Sequence, residues 1–213
     1  MEFVKRSDLG TQTADLSRHL LCAVSQLQDP NFVRSVVLVL EHNKDGAFGL
    51  VLNKCLPTNV SEVANYLGLS WTGPNRQVVR AGGPVERVRG FLLHNQAKWD
   101  PYAQTITPGL WLTTSLDAVI RLDRTKIGGD HSHFLFLLGY AGWTASQLET
   151  EVASGSWVAV PLTPEPSDFG ISPQKLFASS AETMWNDTLQ TIGINPAWIA
   201  SRIGHVRSAE MQS

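Results

Sequence analysis

Residues Val36 to Lys54 read VVLVLEHNKDGAFGLVLNK, and this stretch decides the fold class. Val33 to Glu41 is dense in Val and Leu, which reads as a buried strand. Asn43-Lys44-Asp45-Gly46 is turn chemistry, with Gly46 after Asp45 free to take positive φ. Ala47 to Asn53 reads as a second strand, so the pair predicts a β-hairpin.

Outward from the hairpin, His19 to Val24 is a short apolar run that reads as a strand. Asn59 caps a helix, and Glu62 three residues later makes a capping box. Val60, Val63, Ala64 and Leu67 form its apolar stripe, and Gly68 stops it. Val78 to Ala81, Gly90 to His94, Gly109 to Thr113, Phe134 to Tyr140 and Trp157 to Val160 read as strands. Ser115 caps a helix through Leu122, with Asp117 in its first turn. Thr144 and Gln147 suggest another capping box, opening a helix that Gly155 ends. Pro161 to Pro173 holds four prolines and reads as a linker-like loop. Two helices follow. The first spans about Ala181 to Ile192 and stops at Gly193; the second starts at Asn195-Pro196, a cap followed by proline, and ends near Gly204. Strands and helices do not alternate regularly and hairpins recur. The expected class is therefore α+β with a largely antiparallel sheet, not a doubly wound parallel one.

Of 213 residues, 43% are hydrophobic and 17% charged, enough apolar material for a core and too little charge for disorder. Seven Trp are expected mostly in that core. The net charge is −2 without runs of one sign, so nucleic acid is not the expected partner. Cys22 and Cys55 show no metal spacing and fit a reducing cytosol. No apolar stretch approaches roughly 18 residues, and the N-terminus lacks the apolar core of a signal peptide. A cytoplasmic protein without membrane attachment is expected.

Catalytic signatures are sparse. The phosphate-binding G-x-x-x-x-G-K-[ST] loop, a complete G-x-G-x-x-G and the G-x-S-x-G elbow do not occur. His131-x-His133 beside Asp130 offers two imidazoles on one strand face, but a metal needs further ligands, and a polar loop is the favoured reading. Glu41 and His42 end a strand, where carboxylate and imidazole suit acid–base work; bonding to the turn backbone is favoured. Gly82-Gly83-Pro84 is a demand for special backbone shape. Its free N–H groups suit an anion, though a structural turn is favoured. Asn53-Lys54 and His94-Asn95 stand at strand ends that can converge on one cleft. The C-terminal helix pair has a helix-turn-helix outline, but its second helix carries only Ser201 and Arg202, with His205 and Arg207 beyond. An ordinary packed pair is the favoured reading.

Three segments, VVLVLEHNKDGAFGLVLNK, RAGGPVERVRGFLLH (Arg80 to His94) and LGYAGWTASQLETEV (Leu138 to Val152), together resemble the YqgE/AlgH family, also called UPF0301 or DUF179. The likeness begins near LLCAVSQLQDPNFVRSVVLVLEHN and continues through LTTSLD into TMWNDTLQTIGINPAWIASRIGHV. Phe48 and Cys55 depart from the common pattern, which has Met or Leu and Pro there. The resemblance implies one α+β domain, a bent antiparallel sheet forming a pseudo-barrel flanked by helices. It implies no catalytic residues. Some family members are labelled transcriptional regulators.

The expected organisation is a frayed segment 1–15, a domain 16–207 and a tail 208–213. The leading functional expectation is a non-enzymatic cytoplasmic binding or regulatory protein that engages a protein partner or small ligand. Its candidate residues are Asn53, Lys54, Gly82, Gly83, His94, Ser115 and Trp143. One alternative is an enzyme using Glu41, His42 or His94 as acid or base; the other is DNA binding through the C-terminal helices. No metal or cofactor is expected.

Overall fold

A computed structural model describes residues 15–24, 29–68, 77–114 and 133–199. Ten strands pair into one curled, nearly all-antiparallel sheet among these residues. They are β1 (His19–Ala23), β2 (Val36–Asn43), β3 (Gly46–Val51), β4 (Cys55–Asn59), β5 (Val78–Ala81), β6 (Val85–His94), β7 (Gln104–Thr107), β8 (Leu110–Thr113), β9 (Phe134–Thr144) and β10 (Trp157–Pro161). The main path runs β10-β1-β2-β3-β9-β6-β8-β7, while β4 and β5 branch from it. Four helices lie wholly within the described residues, α1 (Val60–Tyr66), α2 (Gln147–Ala153), α3 (Pro173–Ala178) and α4 (Met184–Thr191), and residues 196–199 begin another, at the predicted Asn195-Pro196 start.

The hairpin predicted from Val36 to Lys54 is β2–β3, closed with Asn43 opposite Gly46. Asn43 Oδ1 accepts the Asp45 N–H at 2.8 Å, and Gly46 has φ +138°. A bulge between Val39 and Glu41 lets β2 bend. Alternation along β2 explains its continuous apolar run. Val36, Leu38 and Leu40 face the inside of the curled sheet, whereas Val37 and Val39 face an outer cluster. Both faces are covered, so neither carries polar residues.

The inner cluster is closed by helices rather than by further strands. Leu176 of α3 and Met184, Trp185 and Leu189 of α4 join Leu20, Leu50, Phe91 and Leu137 there. Full burial of each such side chain contributes about 1.5–3 kcal/mol. Outside, α2 covers Trp143 and Trp157 with Leu148, and α1 covers Val79 and Phe136 with Val60.

β9 is the strand on which the sheet forks. Its first half pairs antiparallel with β6 and parallel with β5; its last four residues pair with β3. At the fork, Gly82 N–H donates to Leu138 O at 2.8 Å, and Val51 N–H donates to Gly82 O at 2.7 Å. Three backbones meet here with no room for side chains. A Cβ on Gly82 would sit 2.2 Å from Gly139 O, and one on Gly83 would sit 2.1 Å from the Tyr140 carbonyl carbon.

The predicted capping box of α1 is present, with Asn59 Oδ1 accepting from Glu62 N and Glu62 Oε2 accepting from Asn59 N. Elsewhere local expectations shift. Thr144 belongs to β9, and α2 begins after Ser146, itself left-handed at φ 61°. Gln147 still reaches back to Thr144, accepting its N–H at 3.0 Å, but the Thr144 hydroxyl donates to Gln147 as well instead of capping the helix. Within the supposed 161–173 loop, Leu162 pairs with Ile171, and Ser172 caps α3 with Pro173 in its first turn. That cap-plus-proline signal was legible. The predicted helix from Ser115 to Leu122 lies outside the described residues. Trp99, Trp143, Trp157 and Trp185 are buried, while Trp198 is 71% exposed.

Candidate ligand cleft

Beside the fork, the sheet surface opens into a cleft of about 250 Å³. Its apolar wall comes from Val51, Leu56 and Leu138, at the end of β3, on β4 and on β9. Its polar rim comes from Lys54, Asn31 and Arg87. Gly83 and Pro84 form the edge between β5 and β6.

Each rim residue is placed by a local cause. Lys54 follows β3, and its Nζ donates to the Val33 carbonyl across the hairpin. Burial, and secondarily the nearby Arg34 guanidinium, hold its ammonium below the ordinary lysine range. Arg87 sits in the exposed first half of β6, where the register with β9 slips between Val85 and Gly90. Residues 86–89 between those pairs are exposed, and Arg87 among them lines the cleft. Arg87 has no ion-pair partner among the described residues. Asn31 is oriented by Asp29, whose Oδ1 accepts from its backbone and side-chain N–H groups, both at 2.8 Å.

Of the residues singled out in the sequence, Lys54 and Gly83 meet at this cleft. Asn53 adjoins it but turns its side chain to the backbone: Oδ1 accepts from Val36 N and Nδ2 donates to Arg34 O, each at 2.8 Å. Gly82 is buried under the fork, occupied by protein backbone on both sides. Ser115 lies outside the described residues.

His94 and Trp143 are elsewhere. His94 is fully buried on β6, linked through Thr113 to Asp100, and burial pushes its imidazole down to about 4. Trp143 is buried near the end of β9, its indole N–H given to Glu151 at 2.9 Å. Glu41 is exposed on β2. The His42 side chain is almost fully buried, 3.3 Å from Glu149 Oε1 but outside hydrogen-bond geometry with it. Its Nδ1 accepts the Leu16 N–H at 3.1 Å. His94 pairs with Phe134 at the start of β9; His42 pairs with Ala47, which pairs with Trp143 near its end. At about 3.3 Å per residue, the two imidazoles stand at opposite ends of a long strand. His133 stacks on Phe177 at 6.0 Å, and its predicted companion His131 is outside the described residues. No group of three His, Cys, Asp or Glu among the described residues is placed to hold a metal, and no described helix is long and apolar enough to cross a membrane.

Arg87, Asn31 and Leu138 were not anticipated as lining residues. Each is unremarkable in its own segment; only the fork brings them together.

Residues 20–197 match the sequence model of the AlgH-like family, DUF179. The chain belongs to that family. A UPF0301 protein from Myxococcus xanthus is 40% identical over 187 residues, covering 87% of this chain and 95% of its own. Another, from Magnetococcus marinus, is 37% identical over 184 residues, covering 86% and 92%. The solution structure of the AlgH protein from Pseudomonas aeruginosa superposes with a TM-score of 0.66 at 29% identity, covering 94% of this chain and 97% of that one. A crystal structure from Corynebacterium diphtheriae shares the fold at 20% identity and a TM-score of 0.57 over 80% of this chain and 84% of its own. The curled antiparallel sheet with few helices is thus the AlgH-like fold.

Proposed function

We propose that this AlgH-like protein is a non-enzymatic cytoplasmic binding protein, and that its ligand sits in the cleft of Lys54, Gly83 and Arg87. The observation that carries this reading is the convergence of an apolar wall with Lys54 and Arg87 at the fork of the sheet. Apolar concavities with a few placed polar groups are the usual form of small-ligand sites. Any regulatory role would then act through occupancy of this cleft.

The acid–base alternative has less support, because His42 and His94 stand at opposite ends of β9 and Glu41 faces solvent. DNA binding has less support as well: α4 spends Met184, Trp185, Thr188 and Leu189 on the interior, while Arg202 and Arg207 lie outside the described residues.

The test is a thermal-shift survey of small-molecule fractions from cytosol, run on the wild type and on Leu56→Trp, which fills the cleft. At ligand roughly tenfold above Kd, the expected wild-type shift is about 3 °C or more, and the filled variant should not respond. Equal shifts in both proteins place the ligand elsewhere. Turnover that disappears with His42→Ala or His94→Ala would make the protein an enzyme and end this proposal.

A further inference from the structure

We infer that the cleft selects an oxyanion, a phosphate or carboxylate group carried on a small apolar body. The inference rests on the cleft being a ligand site and goes on to name the chemistry of what fills it.

The charge around the cleft is one-sided. Lys54 and Arg87 line it, and Arg34 is close enough to act on the Lys54 ammonium. Two described carboxylates that neighbour the lining in sequence have partners of their own. Asp29 holds both N–H groups of Asn31. Glu86, next to Arg87 in sequence, instead approaches Arg89 Nη1 at 3.4 Å and takes the Tyr140 hydroxyl at 3.3 Å. Neither Lys54 nor Arg87 has a carboxylate partner among the described residues. A half-buried ammonium beside a guanidinium loses hydration and gains repulsion, and both costs fall when an anion arrives. Arg87 adds a planar fork of donors suited to a two-oxygen group.

The rest of the cleft specifies the remainder of the ligand. Val51, Leu56 and Leu138 offer hydrocarbon rather than hydrogen bonds, so the body behind the anion is apolar. Its size is limited: about 250 Å³ lies below the roughly 300–1,000 Å³ of sites for drug-sized molecules. Asn31, with its side-chain N–H held by Asp29, keeps its amide oxygen for a donor on the ligand.

The experiment is a ¹H–¹⁵N NMR titration of the full chain with four six-carbon probes: hexyl phosphate, hexanoate, hexanol and hexylamine. The two anions are expected to shift the amides of Ala81, Gly83 and Arg87 and to saturate, with weaker binding as salt rises. Comparing them shows which headgroup is preferred. Arg87→Gln, an exposed change that leaves the fold intact in the same spectra, should weaken anion binding roughly fivefold. Hexanol or hexylamine binding at the cleft as tightly as the anions would overturn the oxyanion inference while leaving the cleft as a ligand site. Anion shifts that map away from the cleft, or no anion binding at all, would also overturn it. The cytosolic survey with Leu56→Trp separately decides whether the cleft binds anything.

Discussion

His94 Nε2 lies 3.1 Å from Thr113 Oγ1, and both side chains are shut away from solvent. The Thr113 hydroxyl donates onward to Asp100 Oδ2 at 2.9 Å. Its oxygen therefore receives a proton from Nε2, and Nδ1 is left to accept the Gln96 N–H at 3.4 Å. This assigns a neutral imidazole with its proton on Nε2, stacked on Trp99 at 5.3 Å.

That arrangement makes stability depend on pH. Burial holds the folded His94 at about 4, against about 6.5 unfolded. The unfolded chain binds the extra proton between those values, so the His94 contribution is intact above pH 6.5 and lost as pH falls through 4, by roughly 3 kcal/mol in total. Urea denaturation at pH 7, 5.5 and 4.5 should show a steeper loss for the wild type than for His94→Gln. Parallel losses would place the acid sensitivity elsewhere.

The glycines at the fork should tolerate nothing larger. Gly83→Ala puts a Cβ 2.1 Å from the Tyr140 carbonyl carbon at φ +152° and is expected to cost more than about 4 kcal/mol or prevent folding. Gly155→Ala is the control. Its φ is +77° with nothing within 4 Å, so only the backbone cost of about 1 kcal/mol remains. Comparable losses from both would deny that backbone crossing is the reason for Gly83.

Glu151 is a hub for the outer cluster. Its Oε2 accepts the indole N–H of Trp143 and of Trp157, at 2.9 and 2.8 Å, and Oε1 accepts from Gln147 at 2.9 Å. Glu151→Leu strands two indole donors and should cost about 3 kcal/mol; Glu151→Gln, which keeps one acceptor oxygen, should cost about 1 kcal/mol. Denaturation followed by Trp fluorescence reads both, and equal effects would refute the hub.

Asn53 staples the entry of β2 to the exit of β3 through Val36 N and Arg34 O. Asn53→Leu leaves both groups without their partner, an expected loss of about 2 kcal/mol. It should also release neighbouring Lys54, visible as broadened amide signals around the cleft. A stable variant with an unchanged spectrum would show the staple to be dispensable.

These cases mark what a sequence reader can and cannot see. The Asn43–Gly46 turn and the Asn59–Glu62 box are closed by residues within four positions of one another, so their chemistry is legible in place. The family likeness carried the curled antiparallel sheet. The glycine pair was visible as a demand for special backbone, but its cause, the β9 backbone at Gly139 and Tyr140, lies more than fifty residues away. The cleft was half visible for the same reason. Lys54 and Gly83 stood out in their motifs, whereas Arg87 acquires its place only from the register slip against β9. His94 stood out too, yet its imidazole bonds inward to Thr113, because both faces of β6 are covered at this end, where Phe91, Leu92 and Leu93 are buried with it.

The most direct test of the account is to map where cytosolic small molecules touch the protein. The measurement is a ¹H–¹⁵N spectrum of the labelled full chain before and after addition of a native cytosolic metabolite extract. Saturable shifts centred on Lys54, Ala81, Gly83 and Arg87, and missing in Leu56→Trp, are the predicted result. Shifts centred on His94 or His42 with this cleft undisturbed would contradict it.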